Sequence, residues 1–162
     1  MTVHIGYNSG FTKFVHRDIK PSNLLVKQVD GRDFALLTDF GLARVYQASR
    51  MSGLTMTGDF AGTPAYMAPE QITHFREATP ATDIYAVGAT LYNLLTGSCV
   101  FDLPRRMDLA LLKILQDEPV PINSRRKDIP RALARIVHTA LAKDPRKRFA
   151  TAGAMRNALT GI

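Results

Sequence analysis

The sequence predicts an α+β fold, mainly helical with one short β-hairpin. Three observations carry this. Strand-like apolar runs are confined to the first forty residues, and an Asp30-Gly31 turn signal separates two of them. Helical periodicity takes over after Glu70 and holds almost to the end. Between these regions lies a stretch rich in Ser, Thr, Gly and Met, residues 41–62, with no convincing helix or strand. A loop of that length is usually functional or disordered.

Residues 1–13, "MTVHIGYNSGFTK", hold no sustained period and are read as an irregular segment ahead of a domain spanning 14–162. "FVH" (14–16), "NLLV" (23–26) and "FALLTDF" (34–40) read as strands, the last two forming the hairpin. "ATDIYAVGATLYNLLTG" (81–97) is apolar almost all round, which predicts a buried helix ended by Gly97. "MDLALLKILQD" (107–117) has one apolar face and stops before Pro119. "IPRALARIVHTALAKD" (129–144) aligns Leu133, Ile136, Val137, Ala140 and Leu141 on one stripe, with Pro130 tolerated in the first turn. A last helix, "TAGAMRNAL" (151–159), has Thr151 as its N-cap.

Composition narrows the function classes. A chain of 162 residues suggests one domain. Cys99 is the only cysteine, so no internal disulfide can form and a reducing, cytoplasmic setting is expected. No secretory signal is visible, and the longest apolar stretch, "IYAVGATLYNLL", falls short of a membrane span, so no membrane contact is expected from this segment. The histidines, His4, His16, His74 and His138, lack metal-ligand spacing. A net charge of +7 rests on "PRR" (104–106), "SRRK" (124–127) and "DPRKRF" (144–149). These clusters sit in different loops without interleaved aromatic residues, so they read as solvated surface and no nucleic acid is expected as a partner.

The chemistry concentrates in "FVHRDIKPSNLLV" (14–26), where His16, Arg17, Asp18, Lys20 and Asn23 crowd between apolar runs. Asp18 and Lys20 are two apart, so an extended loop can turn both to one side. An acceptor beside a cation suits a hydroxyl attacking a phosphate. The carboxylate orients the hydroxyl and takes its proton late, while the ammonium offsets charge on the transferring group. Asn23 offers an amide oxygen, and Asp39, ending the run "FALL", a carboxylate; both are hard donors suited to Mg²⁺. Gly41, after Phe40, lets the backbone turn sharply.

"HRDIKPSN" (16–23), "DFG" (39–41), "GTPAYMAPE" (62–70) and "DIYAVG" (83–88) occur in the order found in protein kinases. The chain resembles the C-terminal lobe of a serine/threonine protein kinase, and "APEQ" and "LTMTGDFAGTPAY" are similar to bacterial members. The resemblance implies ATP and Mg²⁺ as cofactors and a protein with a Ser or Thr acceptor as substrate. It implies Asp18 as the catalytic base, Lys20 as the phosphate-contacting lysine, and Asn23 and Asp39 as Mg²⁺ ligands. Thr63 would face Asp18 and Lys20, and Phe40 would pack according to the active or inactive state. His16 is read as structural, positioning the loop backbone. Asp83 can favour the positive end of its helix, and the family resemblance adds that it hydrogen-bonds the catalytic-loop backbone; the two are compatible. Glu70 and Arg148 resemble a buried structural ion pair. Arg17 resembles an arginine that receives an activation-loop phosphate, here from Thr55 or Thr57.

Other family features have no counterpart among these residues. A Gly-rich phosphate loop, a strand lysine contacting the nucleotide, and its glutamate partner are all missing, and "GYNSG" breaks the stretch where the family has a long helix. The expectation is a catalytic lobe lacking the N-lobe, which would be supplied in cis or trans. The competing expectation is a kinase-like docking module without turnover. Tyr85, Leu91 and Leu95 of the long helix are expected to be incompletely covered in such a lobe.

Overall fold

The computed structural model describes residues 15–39, 64–74 and 78–162. Chain order is β1 (Leu24–Val29), β2 (Arg32–Leu37), α1 (Pro69–Thr73), α2 (Pro80–Thr96), α3 (Met107–Gln116), α4 (Ile122–Arg125), α5 (Arg131–Ala140) and α6 (Ala152–Thr160), with single 3-10 turns at Pro21–Asn23, Pro64–Tyr66 and Pro145–Lys147. The described residues are thus mixed: helices plus one small antiparallel sheet.

The hairpin follows from its turn. Asp30 and Gly31 both have positive φ, 50° and 72°, as a tight two-residue hairpin loop requires. Pairing runs from Val29↔Arg32 to Leu24↔Leu37, so both strands extend closer to the turn than their apolar runs suggested. β2 stops at Leu37, short of the expected Phe40 boundary. Asn23 sits in the preceding 3-10 turn, not in β1.

The expected strand at "FVH" is a correction, since Val15 and His16 carry no strand and Phe14 lies outside the described residues. The amides of His16 and Arg17 donate to the Asp83 carboxylate instead of to a neighbouring strand.

Helix α2 organises the core. Its Tyr85, Ala89 and Tyr92 pack in one cluster with Phe101, Ile114, Ile122, Val137 and Leu141. Ile84 joins Ile136, Ala140 and Met155 in a second cluster. Gly97, at φ 68°, ends α2 in the left-handed conformation expected of it. Gly88 lets α2 approach α5 closely: a Cβ there would lie 2.8 Å from Ala140 Cβ. Helix α5 is shorter than its apolar stripe, and Pro130 is its N-cap rather than part of its first turn. Beyond it the carbonyls of Ala142 and Lys143 accept from Arg148, which holds this stretch out of the helix. Thr151 caps α6 by accepting from the Ala154 amide at 3.0 Å.

Tyr85 corrects the expectation of incomplete cover, for it is only 1% exposed. It lies in the larger cluster, and the Arg148 guanidinium sits 5.0 Å from its ring centre. Leu91 and Leu95 are partly buried against the core, and the exposed leucine of α2 is Leu94. Among the described residues no helix is long and apolar enough to cross a membrane.

Candidate active site

The segment from His16 to Asn23 has a fixed backbone because three distant groups hold it. Asp83, at the start of α2, accepts from the amides of His16 at 2.7 Å and Arg17 at 2.8 Å. Burial pushes the Asp83 carboxyl above its usual range, against the pull of these two donors. His16 is buried. Its Nε2 meets the Thr38 carbonyl at 2.9 Å and its Nδ1 meets the Asp18 amide at 3.4 Å. The Nε2–H tautomer satisfies both, donating to the carbonyl and accepting from the amide.

Arg17 has φ 69°, unusual for a side-chain-bearing residue. The Gln71 side chain supplies the third anchor, donating from Nε2 to the Arg17 carbonyl at 2.9 Å.

With the backbone fixed, three side chains converge. Lys20 Nζ donates to Asp18 Oδ2 at 2.8 Å. Asn23 Nδ2 donates to the Asp18 carbonyl at 2.8 Å and to its Oδ2 at 3.1 Å. Among the described residues, both side-chain bonds to this carboxylate fall on Oδ2. The Asn23 amide nitrogen is turned to Asp18, so its Oδ1 is the end with the chemistry of a cation ligand.

Thr38 ties the second acidic position to the first. Its amide donates to the Asn23 carbonyl at 2.9 Å, and its hydroxyl to the same oxygen at 3.2 Å. Asp39 follows directly, exposed and at φ 63°. An amide oxygen and a carboxylate on adjoining segments are hard donors, and this donor chemistry fits Mg²⁺.

Glu70 and Arg148 meet as a two-pronged ion pair, Nη1 to Oε1 at 2.6 Å and Nη2 to Oε2 at 2.8 Å. The Arg148 side chain is fully buried, yet all five of its N–H donors are used, the others reaching the carbonyls of Ala142, Ala81 and Lys143. Thr82 adds a hydroxyl to Glu70 Oε1 at 3.1 Å. Burial pushes the Glu70 carboxyl up, but the Arg148 guanidinium outweighs it and holds the group below its ordinary value. The pair therefore fixes α1, the start of α2 and the turn before α6 to one another.

The structure thus brings together His16, Arg17, Asp18, Lys20, Asn23 and Asp83, and separately Glu70 and Arg148. Phe40, Gly41, Thr55, Thr57 and Thr63 lie outside the described residues. Sequence reading missed Gln71 and Thr38. Gln71 had a weak signal, an amide at the third position of a helix, where it reaches back to the N-cap amide.

The pattern of the protein kinase domain matches residues 8–159. The serine/threonine-protein kinase PkaA of Streptomyces coelicolor is 40% identical over 134 residues, which is 83% of this chain and 23% of that protein. The serine/threonine-protein kinase PknD of Mycobacterium tuberculosis is 40% identical over 138 residues, 85% of this chain and 20% of its own length. The serine/threonine-protein kinase pkn3 of Myxococcus xanthus is 37% identical over 152 residues, 91% of this chain and 27% of its own. The chain spans about a fifth to a quarter of the length of these curated relatives. The match of nearly the whole sequence, joined to the ordered motifs and the site they build, shows that the chain belongs to the protein kinase family, alongside bacterial serine/threonine kinases.

Proposed function

We propose that residues 14–162 form the catalytic lobe of an ATP- and Mg²⁺-dependent serine/threonine protein kinase. Asp18 orients the acceptor hydroxyl and takes its proton, and Lys20 offsets negative charge on the transferring phosphoryl group. Asn23 and Asp39 would hold Mg²⁺, which when bound neutralises phosphate charge. In this reading Thr63 faces the acceptor, Phe40 packs according to the active or inactive state, Gly41 permits the turn after Asp39, and a phosphate on Thr55 or Thr57 is received by Arg17. The observation that carries the proposal is the Asp18–Lys20–Asn23 cluster on a loop whose backbone is pinned by Asp83. Turnover draws on a nucleotide-cradling lobe, in cis or in trans, because these 162 residues contain no Gly-rich phosphate loop.

The test is transfer of labelled phosphate from ATP, with Mg²⁺, to a protein acceptor by the protein that unites this domain with such a lobe. Labelling of Ser or Thr is expected, falling about a hundredfold or more in Asp18→Asn. Undiminished labelling in that variant, or labelling of tyrosine alone, refutes the assignment. The 162 residues by themselves should turn over negligibly, since well-oriented reactants account for roughly 7–11 kcal/mol of barrier lowering. Partner binding without any transfer by the united protein would support a non-catalytic docking module instead.

A further inference from the structure

Gln71 is among the most buried polar side chains of the described residues, at 1% exposure, and its amide is used at both ends. Oε1 accepts from the Ala68 amide at 3.0 Å, and Nε2 donates to the Arg17 carbonyl at 2.9 Å. The first bond is half of a capping box, since alanine has no side-chain oxygen to complete it. The second reaches a residue 54 positions earlier in the chain.

The Arg17 carbonyl belongs to the peptide unit that carries Asp18. The N–H of that unit meets His16 Nδ1, so Gln71 and His16 hold its two ends. On the other side of Arg17 its own amide is held by Asp83. A residue at φ 69° keeps that conformation only where its surroundings over-determine it. Gln71 is therefore the link between α1 and the orientation of Asp18.

We propose that Gln71 is a positioning residue for the transfer reaction: it locks the Arg17–Asp18 peptide in its left-handed setting and couples the seating of α1 to the aim of the Asp18 carboxylate. This rests on the kinase reading for its catalytic consequence but not for its structural content. Any displacement of α1 would be felt at Asp18 through one hydrogen bond.

Gln71→Glu separates the two roles of the side chain. An ionised glutamate still accepts from the Ala68 amide but cannot donate to the Arg17 carbonyl. Amide hydrogen exchange in the 162-residue chain reads this without turnover. The expected result is about tenfold or faster exchange at Arg17 and Asp18 in Gln71→Glu, with Ala68 and the α2 amides unchanged. Gln71→Met, which removes both bonds, should additionally release Ala68. In the turnover-competent protein, Gln71→Glu should lower kcat by about tenfold to a hundredfold with KM for ATP and acceptor within about twofold, and kcat should recover toward acid pH as the carboxyl regains a donor proton. Unchanged exchange at Arg17 and Asp18, or acceleration spread evenly over all amides, overturns the proposal. If the united protein transfers no phosphate while the exchange result holds, the kinase reading fails and the Gln71 lock stands.

Discussion

Helix α2 and the β1–β2 hairpin are both rich in apolar side chains, and they meet opposite fates. In α2, Tyr85 and Tyr92 are essentially sealed, whereas in β1 Leu25 is 55% and Val26 71% exposed. The His16–Asn23 segment is bonded to both. Its backbone is tied to the helices through Asp83 and Gln71, and its His16 ring and Asn23 carbonyl are tied to Thr38, just past β2. The peptide groups on both sides of Arg17 are thus anchored by the helical layer, not by the sheet. Substitutions in the helical layer should therefore cost stability, and substitutions on the hairpin surface should not.

The largest expected break in that contrast is at Arg148. Removing its side chain leaves Glu70 charged and three carbonyls without their donor, at a cost of about 3–5 kcal/mol. Arg148→Ala should unfold far earlier in urea, and Arg148→Lys, which cannot reproduce the fork, should fall between it and the native chain. The pH dependence has a definite sign. A carboxyl whose folded value is depressed contributes stability present above its unfolded value and lost as pH falls through the folded one. The native chain should thus lose Glu70's contribution on acidification below about 4.5, and Arg148→Lys should flatten that part of the curve. Equal stability of all three chains at pH 7 would show that the pair holds nothing together.

Gly88 gives a smaller, sharper test. In an open helix interior, alanine for glycine would stabilise by roughly 0.5–1 kcal/mol. Here the added methyl would meet the Ala140 methyl at 2.8 Å, a stub with no flexible end to move aside. The helices must separate, so Gly88→Ala should destabilise by about 1–3 kcal/mol. Ala140→Gly in the same chain should recover part of that loss in a double-mutant cycle. A stabilising Gly88→Ala would show that α2 and α5 have slack between them.

Much of this division was legible in the sequence, and what was not has a common cause. Apolar periodicity and Gly97 marked α2, and Asp30-Gly31 marked the hairpin turn, because each signal is local. The strand expected at "FVH" failed where its last amide, that of His16, is claimed by Asp83, 67 positions away. Helix α4 is four residues long, too short to show a period. Asp18, Lys20 and Asn23 could be picked out as a cluster because they lie within one short stretch, whereas Gln71 could not be tied to them because its partner is remote. The tight cover of Tyr85 likewise depends on Arg148, which no window around residue 85 contains.

The smallest expected effect lies on the hairpin. Val26 pairs with Ala35 across the sheet, but most of its own side chain faces water. Its contribution is then mainly the strand preference of a β-branched residue, not burial. Threonine keeps that branching and replaces one methyl with a hydroxyl that water can satisfy. Val26→Thr should shift unfolding free energy by no more than about 0.5 kcal/mol, the range of ordinary surface substitutions. Urea denaturation of the 162-residue chain measures this directly, read beside Gly88→Ala under the same conditions. A loss above about 1 kcal/mol would mean that Val26 is packed after all, and the hairpin would then belong with α2 as a structural layer instead of an open edge.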